Sequence, residues 1–186
     1  MTRVALVIGG ARSGKSAHAE ALALRLAGAR GTCVYVATAE AFDDEMRARI
    51  ELHRARRGTA WRTREAPIDL AAAIAQEARP GRVVLVDCLT VWTGNLMHAG
   101  RDVAADCAAL VAALAAARGP VVLVASAVGL GIVPDNAMAR AFRDHAGRLS
   151  QAIAAVATHV DLVAAGLPLA LKRPRRARRQ ARKTSR

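Results

Sequence analysis

A chain of 186 residues suffices for a single domain with its own core, so neither disulfides nor structural metals are required to hold it. Apolar residues make up 53% and aromatics 3%, which makes the core aliphatic, brings alanine-rich helices close together and leaves no evident aromatic stacking platform for single-stranded nucleic acid. The formal charge is +13, yet nine of the 28 Lys and Arg residues fall in residues 172–186, where there is no acid; the excess belongs to the tail and not to the domain.

The first apolar run, residues 3–8, reads as a buried strand, and Gly9-Gly10-Ala11-Arg12-Ser13-Gly14-Lys15-Ser16 follows it directly. That stretch satisfies G-x-x-x-x-G-K-[ST] at every fixed position, and residues 17–27 read as a helix, so the order is strand, glycine-rich turn, helix. Glycines let the backbone approach an anion, while successive N–H groups and the helix N-terminus face it. In such a loop Lys15 reaches the β- and γ-phosphates and the Ser16 hydroxyl holds Mg²⁺.

Residues 32–38 are β-branched and apolar, a second strand. Residues 42–57 read as a charged helix with Asp43, Asp44 and Glu45 in its first turn, where acids suit the helix dipole. Residues 60–64 form a short extended piece, and a helix starts at Pro67 and runs to about residue 78, before Pro80-Gly81. Residues 83–87 are a strand ending in Asp87, the acidic partner expected beside the Mg²⁺ of a phosphate-binding loop. Helices follow at 89–98 and 104–117, a strand at 120–125, a long helix at 136–158, a core strand at 160–164 and an edge strand at 167–171. Strands alternating with helices specify an α/β protein of the P-loop NTPase type, a mostly parallel sheet with helices on both faces.

Cys33, Cys88 and Cys107 are scattered, with no C-x-x-C pair, which argues against a disulfide framework or a zinc site. No apolar run reaches the 18 or so residues of a membrane span, and Met1-Thr2-Arg3 leads straight into a strand, so a cytoplasmic protein is expected. Residues 1–171 form the expected domain, and residues 172–186 cannot bury enough apolar surface to fold.

A second chemistry is written on the charged helix. Met46, Ile50 and His53 share one helical face, and Arg49, Arg56 and Arg57 lie one turn from His53. Surrounding cations disfavour the protonated imidazole, a neutral imidazole is a nucleophile, and the same arginines suit phosphate. An attack by His53 on a nucleotide α-phosphorus competes with a plain solvated histidine.

The combined motifs resemble the bifunctional adenosylcobinamide kinase/adenosylcobinamide-phosphate guanylyltransferase family. The matching blocks are residues 9–16; Tyr35-Val-Ala-Thr-Ala39; residues 43–50; His53 with Arg57; Trp61-Arg-Thr-Arg-Glu65; Val86-Asp-Cys-Leu-Thr90 with Trp92 and Asn95-Leu96; residues 128–134; and residues 140–144 with Gly147. The resemblance implies a RecA-like P-loop fold and a homotrimer. It implies phosphorylation of adenosylcobinamide by a nucleoside triphosphate, ATP or GTP, then GMP transfer from GTP to adenosylcobinamide phosphate through a guanylyl-histidine on His53. It implies nucleotide contacts from the loop, from Ala37, Thr38 and Ala39, from Arg54, Ala55, Arg56 and Arg57, and from Glu65 and Asp87, with Mg²⁺ on Ser16 and Asp87. The kinase base stays open between Asp87, Glu65 and Asp44. Two positions depart from the family pattern: its Ser-Asn-Glu is Ala125-Ser126-Ala127 here, and its Asn-Gln is Ser150-Gln151. The rival readings are a P-loop kinase of another small molecule and a nucleic-acid-associated NTPase that uses the tail.

Overall fold

A computed structural model of the protein describes residues 3–29, 31–39 and 61–174. The expected helix over 42–57, and with it His53, Arg54, Ala55, Arg56 and Arg57, lies outside the described residues, as do residues 175–186.

Seven strands form one sheet: β1 (Val4–Gly9), β2 (Thr32–Ala37), β3 (Trp61–Glu65), β4 (Arg82–Asp87), β5 (Val121–Ser126), β6 (His159–Ala164) and β7 (Leu167–Lys172). Their order is β3-β2-β4-β5-β1-β6-β7, and every pairing is parallel except β6 with β7. The described helices are α1 (Lys15–Ala27), α2 (Leu70–Glu77), α3 (Leu89–His98), α4 (Val103–Ala116) and α5 (Ala137–Val156). Parallel strands need crossovers, so both faces are covered and the central strands are apolar throughout.

The two-residue period of the strands sorts their side chains into two cores. On one face Val7, Tyr35, Leu85 and Val124 pack with Ala19 and Ala23 of α1. On the other, Leu6, Val34, Val86 and Leu123 pack with Leu70 and Ile74 of α2, Trp92 and Leu96 of α3, Leu110 and Leu114 of α4, and Ile153 of α5. Trp92 is the largest fully buried side chain, and its indole N–H donates to Ile68 O at 2.7 Å. Trp92→Ala is therefore expected to cost about 3–5 kcal/mol of stability, read as a drop in the urea midpoint.

Helix ends follow their capping residues. Asp102 accepts from the amides of Ala104 and Ala105 to start α4, and Asn136 accepts from Ala139 to start α5. The helix expected from Pro67 begins instead at Leu70. The carbonyl of Pro67 accepts from the Asn95 amide, and that of Ile68 accepts from the Trp92 indole and from Leu70 N, so tertiary and tight-turn partners occupy the acceptors a first helical turn would use. The edge strand β7 ends at Lys172, whose ammonium donates to Ala154 O and Ala155 O at the end of α5, and Arg173 pairs with Asp161.

Glu77, at the end of α2, is buried among Arg62, Arg64 and Arg82. Burial pushes its carboxyl up, but the hydrogen bonds and charges of Arg62 and Arg64 outweigh this and hold it below the usual carboxylate range. The pair is thus stabilising above the unfolded-state pKa of about 4.3 and loses that contribution as pH falls through the lower folded value. Glu77→Gln is expected to cost about 2 kcal/mol at neutral pH, a figure moderated by the solvent exposure of its partners. Its difference from wild type, followed by urea unfolding against pH, shrinks in acid; a pH-independent difference would refute the ion-pair account.

A nucleotide cradle at the carboxyl edge of the sheet

In a parallel α/β sheet ligands sit beyond the carboxyl ends of the strands, and the motif residues collect there. Residues 9–14 turn from β1 into α1, and Lys15 and Ser16 open the helix. The backbone demands two of the three glycines, Gly9 and Gly14. Gly14 has φ 92°, in the left-handed region, and a Cβ on it would lie 3.2 Å from Gly166 Cα. A Cβ on Gly9 would meet Ser13 Oγ at 2.4 Å and Val163 O at 2.6 Å. Arg12 also takes positive φ, 53°. The turn is pinned from both sides: Ala127 N donates to Gly9 O at 3.0 Å, and Gly166 N donates to Ser13 O at 2.9 Å. Lys15 Nζ folds back on Gly10 O at 3.2 Å.

The Ser13 hydroxyl is buried without a hydrogen-bond partner. Such an atom costs about 1–3 kcal/mol, a cost that an anion seated in the loop would remove. The loop thus fits a phosphate-like anion on its own geometry.

β4 delivers Asp87 to the same edge. The order of strands separates β4 from β1 by β5 alone, so Asp87 stands about 10 Å from the loop strand, two inter-strand spacings. Lys15 and Asp87 both act on the Cys88 thiol: burial first and the Asp87 carboxylate second push it up to about 11, while the Lys15 ammonium pulls down. Cys88 is therefore a neutral thiol and no nucleophile at physiological pH. Ala37 pairs in register with Glu65 on one side and Asp87 on the other, so both acids flank the end of β2.

Thr38 is buried and ties this edge together. Its hydroxyl donates to Cys88 O and accepts from Cys88 N, each at 2.8 Å, and its amide donates to Asp87 O at 3.4 Å. Asn95 Nδ2 donates to Thr38 O at 2.7 Å and to Pro67 O at 3.0 Å, and Ser126 N donates to Thr90 Oγ1 at 2.7 Å. Residues 9–16, Ala37, Thr38, Ala39, Glu65 and Asp87 all lie on the carboxyl edge of the sheet, with Glu65 on β3 four strand positions from the loop strand; His53 and residues 54–57 are outside the described set. The sequence motifs contain Thr90 and Asn95 but give them no task; their polarity amid apolar α3 is the signal that points to one. Asn95→Ala is expected to lower stability by about 2 kcal/mol, because two carbonyls lose their donor, and to weaken nucleotide binding by loosening Thr38; calorimetric titration with nucleotide reads the second effect.

The departure at Ala125-Ser126-Ala127 falls directly on the cradle. Ser126 is in register with Gly9, and Ala127 donates its amide to the loop. Among the described residues the acids at strand ends on this edge are therefore Glu65 and Asp87. For a metal, the Ser16 hydroxyl and the Asp87 carboxylate are hard oxygen donors of the kind Mg²⁺ takes alongside phosphate oxygens and water. No cluster of three or more His, Cys, Asp or Glu suited to a metal occurs among the described residues.

His18, one turn into α1, donates to Asp161 Oδ2 at 3.0 Å, and Arg173 pairs with the other oxygen. Burial raises the Asp161 carboxyl, but His18 and Arg173 more than offset this and hold it low. His18 is thereby a structural residue under the loop helix. No helix of the described residues is long and apolar enough to cross a membrane.

Comparison with known proteins matches this arrangement. Among solved structures, an ATPase domain superposes with a TM-score of 0.51 at 12% identity, over 86% of this chain and 68% of that one. The flagellar accessory protein FlaH from Methanocaldococcus jannaschii gives 0.53 at 14%, over 92% and 79%. These likenesses establish the fold alone, a RecA-like P-loop architecture. The bifunctional adenosylcobalamin biosynthesis protein CobP of Pseudomonas aeruginosa is 46% identical over 170 residues, 90% of this chain and 96% of its own. The bifunctional adenosylcobalamin biosynthesis protein CobU of Escherichia coli is 42% identical over 182 residues, 90% of this chain and 98% of its own. The model of the family cobinamide kinase / cobinamide phosphate guanyltransferase matches residues 5–171, and with a P-loop cradle, an acid at the end of β4 and identity above 40% to bifunctional relatives, this chain belongs to that family of enzymes.

Proposed function

We propose that one nucleotide cradle serves two reactions. In the first, a nucleoside triphosphate gives its γ-phosphoryl group to the hydroxyl of adenosylcobinamide; the β–γ bridging P–O bond breaks and the hydroxyl proton leaves with a base. In the second, the neutral imidazole of His53 attacks the α-phosphorus of GTP, the α–β P–O bond breaks and pyrophosphate leaves. A phosphate oxygen of adenosylcobinamide phosphate then attacks the same phosphorus, the P–N bond breaks, and adenosylcobinamide-GDP forms with the imidazole restored. The observation that carries this reading is the pinned loop of residues 9–16 with Asp87 on the same edge, one intervening strand away, joined to family membership.

Lys15 and the arginines near His53 offset charge on the phosphoryl groups as it shifts to the leaving oxygen. Ser16 and Asp87 would hold Mg²⁺, which when bound screens the triphosphate. Asp87, Glu65 and Asp44 are the candidates for the kinase base; Glu65 and Asp87 flank the end of β2. Adenosylcobinamide, its phosphate, ATP and GTP are the proposed small-molecule partners, in a cytoplasmic homotrimer. Incubation with adenosylcobinamide, ATP and GTP, followed by mass detection, tests the whole scheme: the phosphate and the GDP forms should both accumulate, and absence of both would overturn it. Nucleic-acid stimulation of hydrolysis, lost on deleting residues 175–186, would instead favour the NTPase reading.

A further inference from the structure

The helix α3 does not run down the sheet. Asn95, seven residues after Cys88, still donates to Thr38 O and Pro67 O, carbonyls at the strand ends, so α3 lies along the carboxyl edge beside the cradle. One side of it is buried through Leu89, Trp92 and Leu96. The other side, with Val91, Gly94 and Met97, faces Met138 and Phe142 of α5 across a cleft of about 410 Å³. The cleft begins at Thr90, whose hydroxyl holds the amide of Ser126 in β5, the strand between β1 and β4. Its walls are apolar. Met138 is 67% exposed, and in the loop just before α5 Leu130 and Ile132 are 83% and 96% exposed.

An acceptor hydroxyl reacts in line with the γ-phosphate, and β5 is the strand that lies between the loop strand and the strand of Asp87, so its end would flank the reacting atoms. The remainder of the acceptor then extends outward from that point. Cobinamide is far larger than the hydroxyl arm that reacts, and the corrin ring at its centre carries methyl groups and aliphatic edges. We propose that the cleft between α3 and α5 is the acceptor subsite and takes an apolar edge of the corrinoid ring; this assignment rests on the proposed function. Gly94 is the opening of the subsite. A Cβ there would meet Phe142 Cε2 at 3.7 Å, ordinary contact, so a longer side chain at this position would project into the cleft against Phe142.

The test uses the full-length protein and two variants. Gly94→Leu fills the cleft and replaces glycine by a better helix former; Phe142→Ala removes one wall. Adenosylcobinamide binding is measured by equilibrium dialysis with its visible absorbance, and KM for adenosylcobinamide is measured with saturating ATP. The expected result is a rise of about 10- to 100-fold in both constants for Gly94→Leu and a smaller rise for Phe142→Ala, with ATP affinity and kcat nearly unchanged. Unaltered acceptor constants in both variants, with wild type active, would overturn the subsite and leave the function standing. Wild type that neither binds nor phosphorylates adenosylcobinamide would overturn both. A change in sedimentation of Gly94→Leu without a change in acceptor constants would assign the cleft to contact between copies of the chain and overturn the proposal.

Discussion

Replacing His53 with asparagine is expected to abolish the adduct formed from GTP and to lower guanylyl transfer by about 10⁴-fold or more, while ATP continues to phosphorylate adenosylcobinamide. Asparagine keeps hydrogen-bonding capacity at similar size but has no basic nitrogen to form a P–N bond. The γ-phosphoryl transfer needs no such bond, so it survives. Incubation with GTP labelled on the α-phosphate, then denaturation in alkali or acid, makes the assay specific, because a phosphoramidate endures the first and is lost in the second. An undiminished acid-labile adduct in the variant would place the nucleophile elsewhere. Loss of both activities together would show that His53 acts in binding or folding and not as the nucleophile of one step.

Lys15→Ala is expected to lower both activities by about 10²- to 10³-fold, and Asp87→Asn to impair both in the same way. The reason is positional. Lys15 opens α1 with its ammonium against Gly10 O, inside the loop, and Asp87 closes β4 with its carboxylate on the same edge. Neither side chain belongs to either apolar core, so the loss should be catalytic and not one of folding. Thermal unfolding of the variants separates the two: melting temperatures near wild type with both rates depressed support a shared cradle. Depression of the kinase step alone would split the site in two and refute a common nucleotide position.

Much of this was legible along the chain. The loop of residues 9–16 is local chemistry: its glycines, lysine and serine sit at fixed offsets, and the backbone requirement for two of them is visible in the turn, Gly14 with positive φ and Gly9 against Val163 O. The strand ending in Asp87 was legible because four apolar residues precede one acid. The start of α2 was not, since Pro67 announces a helix while the distant Asn95 and Trp92, with the local Leu70 amide, occupy the carbonyls it would use. Nor was the burial of Glu77, whose three arginines come from β3 and from the start of β4.

By itself the order of residues determined the class of ligand, a nucleoside triphosphate, and the two reactive groups to test, Lys15 and His53, since phosphate binding is a property of a short contiguous turn and nucleophilicity of a residue type. Only the tertiary structure decided that β5 separates the loop strand from Asp87, that Thr38, Thr90 and Asn95 lock the strand ends together, and that α3 lies across the carboxyl edge to form a cleft with α5. Strand order depends on which apolar faces bury one another across some hundred residues, and side-chain bonds such as Asn95 to Thr38 link positions 57 apart; no local pattern encodes either.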